Sequence, residues 1–269
     1  MIDDPIFSPA QAGDGQEIAR LFVLVQRRET LGLTIWSSPL VSAFVEDIIA
    51  GAEPSLEIKY YTVRVGREME GVICLRNISG RLFVDNVYVT RRLRRMQVSA
   101  RFILDSVRSY GKDFECQELA WDVWSHERSL IHWYRQLGGV EQYRKNWFAA
   151  RLPENSGPAG AVLGRDEAER IHARYGFSTL DVVTSQGRYR SGRIGTHAFR
   201  ITDDRSVADP EFFRALASID PYRVVYVSSS NLDLPGAGGV VATAIRMHCS
   251  LERFFRQLER QVPRGEAVR

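Results

Sequence analysis

Lysine is nearly absent. Of the 36 basic residues only Lys59, Lys112 and Lys145 are lysines, and the rest are arginine. A GC-rich coding bias produces such a chain, but arginine is also the side chain best suited to forked contacts with phosphate and carboxylate. Cysteine is scarce too: Cys74, Cys116 and Cys249 stand far apart, with no CxxC and no Cys/His pair. That spacing argues against a disulfide framework and against a metal site, and it fits a reducing compartment. No apolar run approaches the roughly 18 residues of a membrane helix. The opening MIDDPIFSPAQ lacks the basic-then-apolar order of a secretion signal. A cytoplasmic location without a membrane partner is the expectation.

What is present is an ordinary globular composition. The chain has 269 residues, 44% hydrophobic and 26% charged, with a net charge of +3. That length allows one large domain or two small ones. Asp14 is placed to cap a helix over 15–29, and a second helical pattern follows Pro39. LEIKYYTVRV and GVICLRNIS then alternate as strands of a hairpin, and LFVDNVYV reads as a third strand. A helix over 98–110 turns Phe102, Ile103 and Val107 inward. ELAWDVW is a strand, Ser125 is placed to cap a helix through Leu137, and Gly138-Gly139 stops it. NWFAARL closes this part. PENSGPAGA is the best linker in the chain, giving an expected division into residues 1–152, a linker 153–164 and residues 165–269. The second part carries a helix over 166–175, strands HAFRIT, RVVYVSS and VVATAIRMHCS, and a final helix LERFFRQLERQV. Its Gly-rich LPGAGG precedes a strand, not a helix, so it reads as a loop.

The stretch YVTRRLRRMQVSARFIL, residues 88–104, sets Arg91, Arg92, Arg94, Arg95 and Arg101 between a strand and a helix. A helix start is where backbone N–H groups and the helix dipole favour an anion. The arginines there either bind an anion or form a solvated helix entrance. Asp85 lies on the preceding strand. It either accepts a proton from an attacking ammonium group or pairs with an arginine, and Asp122 on the next strand has the same two readings. Cys74 and Cys116 read as small buried hydrophobes. His132 is expected to face solvent.

The order of elements resembles the GNAT acetyltransferase superfamily. The family pattern is a strand ending in Val, then R-x-x-G-x-G/A at a helix start; FVDNVYVTRRLRRMQVSARFIL places Arg94 on the Arg, Gln97 on the first Gly and Ser99 on the second. ELAWDVWSHERSLIHWYRQLGG is similar to the family's strand, helix, Tyr and Leu-Gly finish, with Tyr134 on the family's tyrosine and Glu127 where Asn is frequent. The resemblance covers about residues 14–152. It implies an α/β (α+β) fold, a mixed sheet flanked by helices, followed by a second, smaller, degenerate copy. It implies that Arg91, Arg92, Arg94, Arg95, Gln97, Val98 and Ser99 hold donor phosphates. It further implies that peptide N–H groups near Val87, Tyr88 and Val89 stabilise an oxyanion, and that Tyr134 protonates the leaving group. The implied function is an N-acyltransferase acting on a small-molecule amine with acyl-CoA as co-substrate and no metal. Glycine loss and arginine gain leave two alternatives: an aminoacyl-tRNA donor in specialised metabolism, or a non-catalytic GNAT-like binding protein.

Overall fold

The computed structural model describes residues 4–152, 157–231 and 238–262. In chain order the elements are β1 (Pro5–Pro9), α1 (Gly15–Val25), α2 (Arg28–Leu31), α3 (Val41–Ile49), β2 (Ile58–Val65), β3 (Glu68–Ile78) and β4 (Arg81–Val89). Then come α4 (Arg91–Arg95), α5 (Ser99–Phe114), β5 (Glu118–Trp124), α6 (Arg128–Gln136) and β6 (Val140–Ala150). The remainder is β7 (Ala161–Leu163), α7 (Arg165–Tyr175), β8 (Phe177–Val183), β9 (Arg188–Ile194), β10 (Ala198–Ile201), α8 (Pro210–Ile219), β11 (Val224–Ser229), β12 (Val240–Ser250) and α9 (Leu251–Glu259).

The contacts group these elements into two compact units. Unit 1 holds Met1–Val25, Val45–Tyr143 and Ile245–Arg269; unit 2 holds Gln26–Phe44 and Arg144–Ala244. The expected linear division at residues 153–164 is therefore crossed twice, and residues 153–156 of that linker lie outside the described residues. The physical reason is an exchange of closing strands. Asn146–Ala150 of β6 pairs antiparallel with β11 in unit 2, while the end of β12 lies beside β5 and the Leu251 N–H donates to the Gln117 carbonyl in unit 1.

In unit 1, β1, β2, β3 and β4 pair antiparallel in sequence and β4 pairs parallel with β5. A parallel pair needs a crossover, and α4 and α5 supply it. The apolar spacing of α5 buries Phe102, Ile103, Val107 and Tyr110 against Leu75, Val84, Leu119 and Trp121 of the sheet, and Phe254 and Leu258 of α9 complete that core. Each such side chain contributes about 1.5–3 kcal/mol on burial. Unit 2 repeats the plan: β7, β8, β9 and β10 are antiparallel neighbours, β10 pairs parallel with β11, and α8 lies in the crossover. Phe212 and Leu216 of α8 pack on Leu180, Phe199 and Val225.

Local differences from the sequence reading have local causes. The first helix ends at Val25, not at residue 29. Asp14 does not cap it, because its carboxylate binds the Gln11 N–H at 2.9 Å and Arg64 at 2.6 Å; Glu46, distant in sequence, accepts from Gly15 at 2.5 Å instead. Ser125 is not the N-cap of α6; Glu127 is, and its side chain makes no bond to the helix's first N–H groups. Strands β1, β7, β8 and β9 escaped the pattern: β1 (PIFSP) and β7 (AVL) are too short to show alternation, β8 (FSTLDVV) sets a serine in its inward row, and β9 (RYRSGRI) mixes charge and Gly into the alternation. Part of the LPGAGG loop, residues 234–237, lies outside the described residues. At the helix stop the expected glycines are required: Gly138 has φ +92°, and a Cβ on Gly139 would sit 2.5 Å from the Trp121 ring.

Candidate functional site: a split between two parallel strands

The parallel pairing of β4 and β5 is short. It joins Arg81–Val84 to Glu118–Trp121, yet β4 runs on to Val89 and β5 to Trp124. On its other side β4 stays paired with β3 as far as Val89 and Gly71, with a register shift in which Cys74 faces Asn86 and Leu75 faces Val84. Asp85 is thus the extra residue of a bulge, placed where the two parallel strands part. Beyond it, the edge of Val87, Tyr88 and Val89 turned toward β5 has no strand partner among the described residues. Peptide N–H groups on such an edge can donate to an oxygen that gains negative charge.

The arginine stretch has more structure than the sequence suggested. Thr90 ends β4 and caps α4, its Oγ1 accepting from Leu93 N–H at 3.2 Å. The Thr90 hydroxyl also donates to Glu70, a buried carboxylate on β3, and Arg92 reaches the same group at 3.2 Å. Leu93 is fully buried and anchors the short helix. Arg92 is therefore held by Glu70, and Arg101 by Asp105 at 2.6 Å one turn further along α5. Arg91, Arg94 and Arg95 are exposed and have no carboxylate partner among the described residues.

Gln97 stands on the first glycine position and takes a glycine's conformation, with φ +58°. A non-glycine residue pays roughly 1–2 kcal/mol for that backbone. The turn is therefore preserved despite the lost glycine. Val98 is the N-cap of α5 and makes no side-chain cap, and among the described residues no side chain occupies the first N–H groups of the helix and the buried Ser99 Oγ has no partner. This is an uncapped helix start, with its dipole positive, in the position where the sequence pattern places phosphates.

Unit 2 does the opposite at its corresponding crossover helix. Asp209 is fully buried and accepts from the Glu211 N–H at 2.9 Å and the Phe212 N–H at 3.4 Å, while the Thr184 hydroxyl donates to it at 2.5 Å. There the chain's own carboxylate occupies the anion position.

Tyr134 lies on the inner face of α6, 5% exposed, with its ring stacked on Trp121 at 4.5 Å. Burial pushes its phenol well above the ordinary tyrosine value, so it is protonated throughout the physiological range. Its hydroxyl has no hydrogen-bond partner among the described residues. Asp85 bonds Arg76 at 2.8 Å, so the arginine pairing foreseen for it is present. Burial raises its proton affinity, against the opposing pull of Arg76. Asp122 pairs with Arg246 at 2.5 Å. His132 is exposed and bonds Gln136, and Cys74, Cys116 and Cys249 are buried free thiols. The residues that sequence reading missed are Glu70, Arg76 and Arg246. Glu70 had a signal: a lone acid inside the apolar run from Met69 to Leu75 needs a partner. Arg76 and Arg246 had none, being two arginines among many.

Comparison with known proteins gives the fold and little else. No protein-family model matches the chain, and no curated protein sequence matches it. Solved structures do match over nearly its whole length. A tandem GNAT protein from the clavulanic acid biosynthesis pathway is 11% identical with a TM-score of 0.61, covering 92% of this chain and 98% of that one. A GCN5-related N-acetyltransferase from Sphaerobacter thermophilus is 14% identical with a TM-score of 0.59, covering 93% and 97%. The chain has the tandem GNAT fold, as the resemblance in its sequence implied.

Proposed function

We propose that this chain, a tandem copy of the acyltransferase fold, is an N-acyltransferase whose unit 1 forms an amide on a small-molecule amine from an acyl-CoA donor. The observation that carries this reading is the split between β4 and β5, with the uncapped start of α5 beside it. The donor's pyrophosphate is read against the N–H groups following Val98, with Arg94 and Arg95 supplying charge. Its pantetheine arm enters the split and sets the thioester carbonyl on the N–H edge of Val87–Val89. The amine arrives as an ammonium ion and gives a proton to Asp85, directly or through water. The neutral nitrogen attacks the carbonyl carbon, a C–N bond forms, and the C–S bond breaks. Tyr134 donates its proton to the departing thiolate, and the nitrogen releases its second proton to solvent. Unit 2 is read as a copy without a donor site, because Asp209 fills its helix start.

A second donor is favoured by one observation: Arg91, Arg94 and Arg95 project from a short helix with no carboxylate partners among the described residues. Such a surface suits the backbone of an aminoacyl-tRNA, and the amide-forming chemistry would be the same. Titrating the full chain with acetyl-CoA and with charged tRNA separates the two. An acyl-CoA enzyme gives saturable CoA binding and thiol release with an amine. A tRNA-dependent enzyme gives no CoA binding and a tRNA affinity that falls steeply with salt. Binding of either donor with no amide formed on any amine would favour a non-catalytic role.

A further inference from the structure

We propose that the acceptor of unit 1 is an amino carboxylate, a small molecule carrying both an amine and a carboxylate, with its ammonium end at Asp85 and its carboxylate at Arg246. The inference deepens the acyl-transfer reading and rests on it. Asp85 and Asp122 are the first residues of β4 and β5 beyond their last paired residues, Val84 and Trp121. Val84 and Trp121 point into the core, so alternation sends Phe83 and Asp122 to the opposite face of the sheet, away from Tyr134. Two carboxylates and two guanidinium groups lie there. Asp85 is bonded to Arg76 at 2.8 Å, and Asp122 is bonded to Arg246 at 2.5 and 2.9 Å. Asp85 also feels the charges of both Asp122 and Arg246, which makes the four one group.

The group is rigid and keeps unused donors. Phe83 underlies both guanidinium groups, at 5.8 Å from Arg76 and 4.6 Å from Arg246, and Tyr143 lies 5.3 Å from Arg246. Asp122 engages Nε and Nη2 of Arg246, leaving Nη1 without a hydrogen-bond partner among the described residues. The Nε of Arg76 is buried and likewise unpartnered. The side chains of Asp85 and Arg246 are about one-fifth exposed, so they are open to a ligand yet largely desolvated. A ligand with only a cation meets an Asp85 already balanced by Arg76. A ligand with only an anion meets Asp122 beside Arg246. A zwitterion satisfies both ends, and a stacked, fixed guanidinium suits a planar carboxylate.

The test uses the full chain with saturating acetyl-CoA and follows free thiol. The acceptors are glycine, β-alanine and γ-aminobutyrate against alkylamines and diamines of matched length, with calorimetric binding to the CoA-loaded protein as a second readout. The expected result is a kcat/KM for amino carboxylates about tenfold or more above the matched amine, as one charge-assisted contact provides. Arg246→Met should abolish that preference through KM, and Arg246→Lys should keep part of it. Acylation of amines with no carboxylate preference, a preference untouched in Arg246→Met, or CoA-loaded protein that binds none of the amino carboxylates would each overturn the proposal. Absence of both CoA binding and thiol release would instead overturn the acyl-transfer reading beneath it.

Discussion

In the proposed reaction Asp85 and Tyr134 have opposite needs. A proton acceptor works only when ionised, and burial has raised the proton affinity of Asp85. The acid limb of kcat should accordingly lie above the roughly 3.9 of a free aspartate, and Asp85→Asn should lower kcat and remove the limb. The same shift has a stability consequence. Because the folded-state affinity is raised, the stabilisation from protonating Asp85 is present below its unfolded value and is lost as pH rises through the folded one. Urea melts across the acid range should show that dependence in the native chain and not in Asp85→Asn. Tyr134 is held protonated by burial. Tyr134→Phe keeps the ring stack on Trp121 but removes the proton, and should lower kcat about 10²-fold, the low end for a general acid because a thiolate leaves readily. Unchanged kcat would assign Tyr134 to packing alone.

At the scale of elements, the informative contrast is between α5 and α8. Both are crossover helices of the same plan, but Val98 leaves α5 uncapped while Asp209 fills the start of α8. Val98→Asp imports the second arrangement into the first. A cap contributes about 1 kcal/mol, partly offset by the lost contact of Val98 with the core, so stability should change little. Acetyl-CoA affinity, measured by calorimetry, should fall about tenfold or more if these N–H groups hold the donor phosphate as proposed, since a carboxylate would then occupy them. The arginines and the helix after them were legible in sequence, as was the hairpin of β2 and β3. Their periodicity is local and strong. The conformation of Gln97 was not legible, because a non-glycine residue gives no sign that tertiary packing holds it at positive φ. Nor were the partners of Asp85 and Asp122, since the pairing of one arginine among many is fixed only by strand register.

For the whole molecule, the contact grouping crosses the expected linker for a topological reason: the closing strands are exchanged, and no composition shift reports which unit a strand will join. The exchange has a measurable consequence. Residues 245–262 give unit 1 the buried side chains of Ile245, Met247, Cys249, Leu251, Phe254 and Leu258. A chain cut at residue 152 loses them all, and at about 1.5–3 kcal/mol for each side chain that loss is as large as the 5–15 kcal/mol that stabilises a typical domain, with the core left open. It should show no cooperative thermal transition by circular dichroism; a transition at the full chain's temperature would contradict the exchange. The same topology frames the central claim, which is that one unit binds the donor and the other, its helix start filled by Asp209, does not. Calorimetric titration of the full chain with acetyl-CoA tests it most directly. Saturation at one equivalent per chain, weakened in Val98→Asp, is the predicted result; two equivalents, no binding, or binding indifferent to Val98→Asp would contradict it.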